Sequence, residues 1–175
     1  VQRVYEDEVV CVASVDTSQK VIIVWQKTLD VGTDHYIIYR QTATEIYDPI
    51  GNVPANVLSV FIDPDADPYA RPYRYKISSV DTCGNVSEES FYHQTMHLAT
   101  NKGALAGEIN LQWVPYEGMA SNIDQYYIYK GLDPLNLEIV DSVPGDNPPQ
   151  YTDTGVFDTT YYKIGFQLPE ICDPT

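Results

Sequence analysis

The chain has 175 residues, 25 acidic against 10 basic, and a formal net charge of −15. A surface that acidic repels phosphate backbones and anionic headgroups, which argues against nucleic acid and lipid as partners. No apolar run approaches the ~18 residues of a membrane span, so this segment is not expected to insert into a bilayer, and it opens on polar residues without a signal-peptide pattern.

In chain order, seven segments of the first half read as strands: VVCVASV (9–15), KVIIVWQ (20–26), HYIIYR (35–40), EIYDPIGNV (45–53), NVLSVFI (56–62), YRYKISSV (73–80) and SFYHQTM (90–96). Each is rich in β-branched or aromatic residues and bounded by Asp, Asn, Gly or Pro. The fourth is short and interrupted by Pro49, which suits a sheet edge. HLATNKGALAG (97–107) is too short for a flexible tether and should contain the opening strand of the second half. EINLQWV (108–114), QYYIYK (125–130), LEIVDSV (137–143), QYTDT (150–154) and TYYKIGFQL (160–168) follow. Nothing apolar comes after PEICDPT, so the second half is expected to lack its last strand. No window shows helical spacing of apolar residues.

The two halves correspond. DHYIIYR (34–40) returns as DQYYIYK (124–130), ninety positions on. Trp25 and Trp113 stand before these copies. Asp63 and Asp153 are again ninety apart, and Tyr75-Lys76-Ile77 and Tyr162-Lys163-Ile164 eighty-seven. Landmarks in one order with small insertions make an internal duplication. The division is 1–96 and 97–175, and the fold class is all-β: two tandem antiparallel β-sandwiches, the second without its last strand.

Val24-Trp25 with Leu111-x-Trp113, Tyr36–Arg40 with Tyr126–Lys130, and a Tyr-rich strand running into Val80-Asp81-x-x-Gly84-Asn85-x-Ser87 resemble fibronectin type III domains in tandem. The second copy departs from that pattern after its last predicted strand, where QLPEICDPT replaces the Val-Asp-x-x-Gly-Asn turn, and Thr160 stands where Tyr73 aligns. More narrowly, CVASVD…VIIVW, HYIIYR, YRYKISSVDTCGNVSEES and HLATNKG resemble repeats of large secreted surface proteins from gliding and gut-dwelling bacteria. On such a sandwich alternate residues face inward. That makes Trp25, Tyr36, Tyr73, Tyr75, Trp113, Tyr126 and Tyr162 structural core, with Tyr73 as the tyrosine corner. Tyr39 and Tyr129 face outward and are the candidates for stacking on a glycan.

The resemblance implies a non-catalytic structural or adhesive module pair, extracellular or at a cell surface, that spaces or presents neighbouring domains of a longer chain. Contacts with proteins or glycans would come through exposed residues, and no cofactor is implied. The competing reading is an accessory carbohydrate-binding or linker module of an extracellular hydrolase or protease.

Residues that could carry chemistry are few. Asp63, Asp65 and Asp67 alternate as at the start of a calcium loop, but Pro68 and Arg74 stand where an EF-hand needs Gly and Glu. They remain a candidate for a looser calcium site beside the reading of DPDADP as a solvated turn. His93 and His97, four apart on a strand, lie about 13 Å from each other along it, too far to share a zinc ion directly, and read as surface or interface histidines. His35 beside Asp34 has no nucleophile near it. No nucleophile elbow, dinucleotide fingerprint or P-loop pattern occurs, so no enzyme is read here. Asn85-Val86-Ser87 is a formal glycosylation sequon, but Gly84 and Asn85 more simply supply a turn. In the fold the chain resembles, the start of the first strand and the turn holding Cys83 share one end of the sandwich. This brings Cys11 and Cys83 within reach of a disulfide, with Cys172 free or bonded outside the segment and an oxidising compartment implied; the alternative is three reduced, unrelated thiols.

Overall fold

The computed structural model describes residues 9–27, 32–168, 172 and 174. Among them are thirteen strands and no helix: β1 (Val9–Val15), β2 (Val21–Gln26), β3 (Thr33–Ala43), β4 (Ile46–Pro54), β5 (Val60–Asp63), β6 (Arg74–Asp81), β7 (His93–Gln94), β8 (His97–Lys102), β9 (Ile109–Val114), β10 (Gln125–Asp133), β11 (Asn136–Pro144), β12 (Gln150–Asp153) and β13 (Tyr161–Phe166). They form four sheets, ordered β1-β2-β5 and β4-β3-β6-β7 in the first half, β8-β9-β12 and β11-β10-β13 in the second. Every paired strand is antiparallel. The fold is the expected one: two antiparallel sandwiches of fibronectin type III-like strand order. Among the described residues the second has six strands and none in the place of β7.

The chain divides into two compact units. The first takes in the described residues up to Thr95 together with Tyr116–Gly118, Cys172 and Pro174; the second takes in Met96–Pro115 and the described residues from Met119 to Leu168. In the first unit Val21, Ile23 and Trp25 of β2 alternate inward and meet Tyr36, Ile38, Tyr75 and Ile77 from the facing sheet. In the second, Leu111, Trp113, Tyr126, Ile128, Val143 and Ile164 do the same, with Tyr162 and Phe166 half-buried against them. Trp25 meets Tyr36 edge-on at 5.3 Å between centroids, and Trp113 meets Tyr126 at 5.5 Å. That geometry suits the ring quadrupoles. Both indole N–H groups are buried without an acceptor among the described residues, a cost of about 1–3 kcal/mol each that the burial of two large rings outweighs.

β3 and β10 run several residues beyond their predicted spans, and two predicted strands are clearly shorter in the structure. β5 starts at Val60 rather than 56, because residues 54–58 first make a turn in which the Val57 N–H bonds the Pro54 carbonyl. β4 is an edge strand as expected, shifted by one residue from its predicted span, and a bulge beside Pro49 absorbs the proline. SFYHQTM contributes only the two residues of β7. Hydroxyls do the rest of the pairing there. Ser87, Ser90 and Thr95 each donate their N–H to a β6-side carbonyl, of Ser79, Ile77 and Tyr73. Each then accepts the N–H of that same residue on its own hydroxyl oxygen, at 2.9–3.0 Å. The edge is satisfied without a regular strand.

Tyr73 is a tyrosine corner, its hydroxyl accepting the Asp67 N–H at 3.1 Å. The β6–β7 turn is built by Asp81, whose carboxylate accepts the N–H groups of Cys83 and Asn85 and the Asn85 side-chain amide. Gly84 supplies the φ of +84° the turn requires.

Candidate functional site

The duplication preserves a charged bridge between the facing sheets of each unit. Arg40 on β3 and Tyr75 on β6 are direct cross-strand neighbours, and Asp63 reaches them from β5. Arg40 Nη1 bonds both Asp63 oxygens, at 3.0 and 2.8 Å, and the Tyr75 hydroxyl donates to Oδ2 at 2.9 Å. In the second unit Lys130 and Tyr162 are cross-strand neighbours, and both meet Asp153 Oδ2 at 2.6 Å. A carboxylate taken from water must be paired and hydrogen-bonded, and both are.

Burial and then the Asp63 charge drive the Tyr75 hydroxyl far above its ordinary pKa. Tyr162 is raised in the same way by burial and Asp153. Burial alone would raise Asp153, but the Lys130 ammonium and the Tyr162 hydroxyl outweigh it and hold the carboxyl below its ordinary 3.8. The two phenols therefore stay neutral and donate to the carboxylates, whose lone pairs are used inside the sandwich.

This overturns the calcium reading. Asp63 faces Arg40 and Tyr75 and also accepts the Asp65 N–H, while Asp67 accepts the N–H of Tyr69. The alternate aspartates cap turns, and no group of metal-ligating side chains forms among the described residues. The spacing of Arg40/Lys130 and Asp63/Asp153, both ninety, was the available signal for the bridge.

The cysteine pairing also differs from expectation. Cys11 bonds Cys172, with Cα atoms 5.9 Å apart, and Cys83 is a free, exposed thiol in the Asp81 turn. A bulge explains the partner of Cys11. Val10 pairs with Trp25 and Val12 with Val24, leaving Cys11 as the extra residue. Val10 and Ala13 both point inward, so Cys11 is turned out of the alternation.

Pro174, two residues beyond the bridge, completes this clasp. Its carbonyl accepts the N–H of Ser59 at 2.9 Å. Ser59 is fully buried, and its hydroxyl and carbonyl are both spent on the Trp25 backbone. Without Pro174 its N–H would be an orphaned donor. The repeat position in the second unit is Pro149, whose carbonyl likewise accepts the Trp113 N–H but which has no N–H to satisfy.

A third closing element is Tyr116–Gly118. The Tyr116 hydroxyl accepts the Ala13 N–H at 2.9 Å and lies 2.7 Å from His93 Nδ1. A phenol oxygen can accept more than one hydrogen bond, so either partner donates in this pair according to the His93 tautomer. Burial pulls the His93 pKa down to about 4 and raises that of Tyr116. Gln94 pairs with Glu117 through its backbone, and Glu117 accepts from Arg74 and Tyr92. A Cβ on Gly118, where φ is +115°, would lie 2.5 Å from the Tyr92 carbonyl oxygen and 2.7 Å from the His93 ring. His93 is thus an interior residue rather than a surface one.

Trp25, Tyr36, Tyr73, Tyr75, Trp113 and Tyr126 are all buried. Tyr39 and Tyr129 are half-buried on the outer faces. The Tyr39 hydroxyl sits 3.1 Å from Ser78 Oγ, and the Tyr129 ring covers Gly165 beneath the Lys163 ammonium. His35 Nδ1 meets Asp34 at 2.8 Å on the surface. Asn85 is exposed, with its amide engaged by Asp81.

No protein-family model matches the chain, and no curated protein does. Among solved structures it is similar to the crystal structure of chicken CNTN1 FN1-FN3 domains, at 15% identity and a TM-score of 0.42. The alignment covers 94% of this chain and 63% of that one. A likeness so distant bears on neither activity nor partners; the fold stands on the sheet order and registers above. No helix among the described residues is long and apolar enough to cross a membrane.

Proposed function

We propose that the chain is a non-catalytic structural and adhesive module pair of an extracellular, cell-surface protein, spacing or presenting neighbouring domains. The observation that supports this most is the repeated bridge. Of the polar residues that the duplication keeps, Arg40/Lys130, Asp63/Asp153 and Tyr75/Tyr162 are spent on holding facing sheets together. What is kept through duplication serves mechanical integrity of each sandwich. The Cys11–Cys172 disulfide fits an oxidising compartment.

Antibody labelling of intact producing cells and of their medium tests the reading. Staining without permeabilisation is the expected result. Staining confined to permeabilised cells would contradict it.

A further inference from the structure

We propose that a cleft where β10 and β13 part, in the second unit, is a binding site for an uncharged saccharide. The duplication shows how the cleft arises. In the first unit the ladder between β3 and β6 runs past the Tyr36–Ser79 pair to His35–Val80 and Thr33–Asp81, and the Thr82 N–H then bonds the Gly32 carbonyl. In the second unit the matching ladder, between β10 and β13, ends at the Tyr126–Phe166 pair. The residues at the next repeat positions, Gln125 with Gln167 and Ile123 with Leu168, make no such pairs among the described residues. All four instead line a cleft of about 620 Å³, within the ~300–1,000 Å³ of small-ligand sites. Where the first copy zips shut, the second leaves room.

The lining selects the ligand. Gln125 and Tyr127 face outward on either side of Tyr126, which is turned into the core. The cross-strand neighbour of Tyr127 is Gly165, which has no side chain to set beside the phenol ring. The first unit has Ile37 and Ser78 at these positions. A pyranose offers a face of C–H groups that packs on such a ring, with the phenol hydroxyl left for a polar contact. Asn122, Gln125 and Gln167 bring exposed side-chain amides that both donate and accept, and Asp124 an exposed carboxylate that accepts. Sugar hydroxyls are donors and acceptors at once and match that set. No lysine or arginine lines the cleft, so a phosphate, sulfate or uronate would meet Asp124 with no cation beside it.

The inference rests on the adhesive reading and deepens it by naming a ligand class; sugar binding and cell-surface staining are measured separately, so either can fail alone. The probes are maltotriose, cellotriose, mannotriose, xylotriose and chitotriose, with trigalacturonate as the charged control. Each is added at millimolar concentration to the whole oxidised chain, and the side-chain amide signals of Asn122, Gln125 and Gln167 are followed by NMR. At least one neutral probe should shift all three signals saturably, and trigalacturonate should shift none. Tyr127→Ile and Gln167→Val install the residues of the first unit, and each should weaken that binding by about tenfold or more. The thermal midpoint read through Trp113 should stay unchanged in both; if it falls, the map of shifted signals on the unaltered protein decides. No saturable shift with any neutral probe would overturn the proposal. So would larger shifts with trigalacturonate, shifts confined to residues outside the cleft, or undiminished binding by both variants.

Discussion

Arg40, Asp63 and Tyr75 in the first unit and Lys130, Asp153 and Tyr162 in the second make one bridge in two versions. The first carboxylate is 1% exposed, with one guanidinium nitrogen bonding both its oxygens; the second is 8% exposed, with an ammonium on one oxygen. The periphery differs more than the interior. The first unit has a tyrosine corner, three hydroxyl clamps on β6, the Tyr116 contact and the disulfide clasp. The second has Thr160 for Tyr73 and Pro149 for Ser59, and no counterpart of β7 among the described residues. Duplication can hold a core constant while each copy solves its own closure, because buried charges tolerate little change and edges can be covered in several ways.

Cutting the clasp should widen this contrast most. Cys11→Ser opens a loop of 161 residues, and the chain-entropy model puts the loss at about 5 kcal/mol when the whole chain unfolds. Non-reducing urea titrations should place that loss in the first unit. Breaking the bridge comes next. Asp63→Asn leaves the part-buried Arg40 without its counter-charge and should cost about 3 kcal/mol, whereas Asp153→Asn should cost less, since Lys130 is more exposed. Equal losses would mean that burial does not distinguish the two bridges.

Acid sharpens the comparison. The folded pKa of His93 lies below its ordinary 6.5, at about 4, so the native state binds its proton less readily than the unfolded chain does. Its contribution is fully present above pH 6.5 and is lost as pH falls towards 4, by about 3 kcal/mol in all. The second unit has no histidine buried in this way; Asp153, with its pKa depressed, loses its contribution only as pH falls below 3.8. His93→Gln should flatten the first unit's dependence, and an unchanged slope would sink this account.

Smaller effects test the Tyr116–Gly118 segment and the tyrosine corner. Gly118→Ala should destabilise the first unit by about 2 kcal/mol, through strain at positive φ and contact with Tyr92 and His93. Tyr73→Phe should cost about 1 kcal/mol for the lost hydrogen bond, while Thr160→Val in the second unit should be nearly neutral.

Much of the fold was legible in the sequence, because periodicity and repetition report burial directly. β1 matches its predicted span, and Trp25, Tyr36 and Tyr75 are at the centre of the core that alternation implied. What failed depended on single residues acting out of pattern. The bulge at Cys11 cannot be seen in VVCVASV, where Val10 and Ala13 both face inward across it. SFYHQTM has the composition of a strand, but serine and threonine hydroxyls compete with the ladder. Asp63 looked like a loop ligand because Pro64 and Asp65 follow it, although its repeat partner Asp153 lies in no such run.

Each unit holds one tryptophan, Trp25 or Trp113, so single-tryptophan variants can follow the two cores separately. Urea unfolding of the oxidised protein, watched through Trp25 in Trp113→Phe and through Trp113 in Trp25→Phe, tests the claim of a shared interior with unequal closure. The Trp113 transition should come first, and reducing the disulfide should draw the Trp25 midpoint towards it. Superimposed transitions in the oxidised protein, or a reductant effect confined to Trp113, would contradict the account.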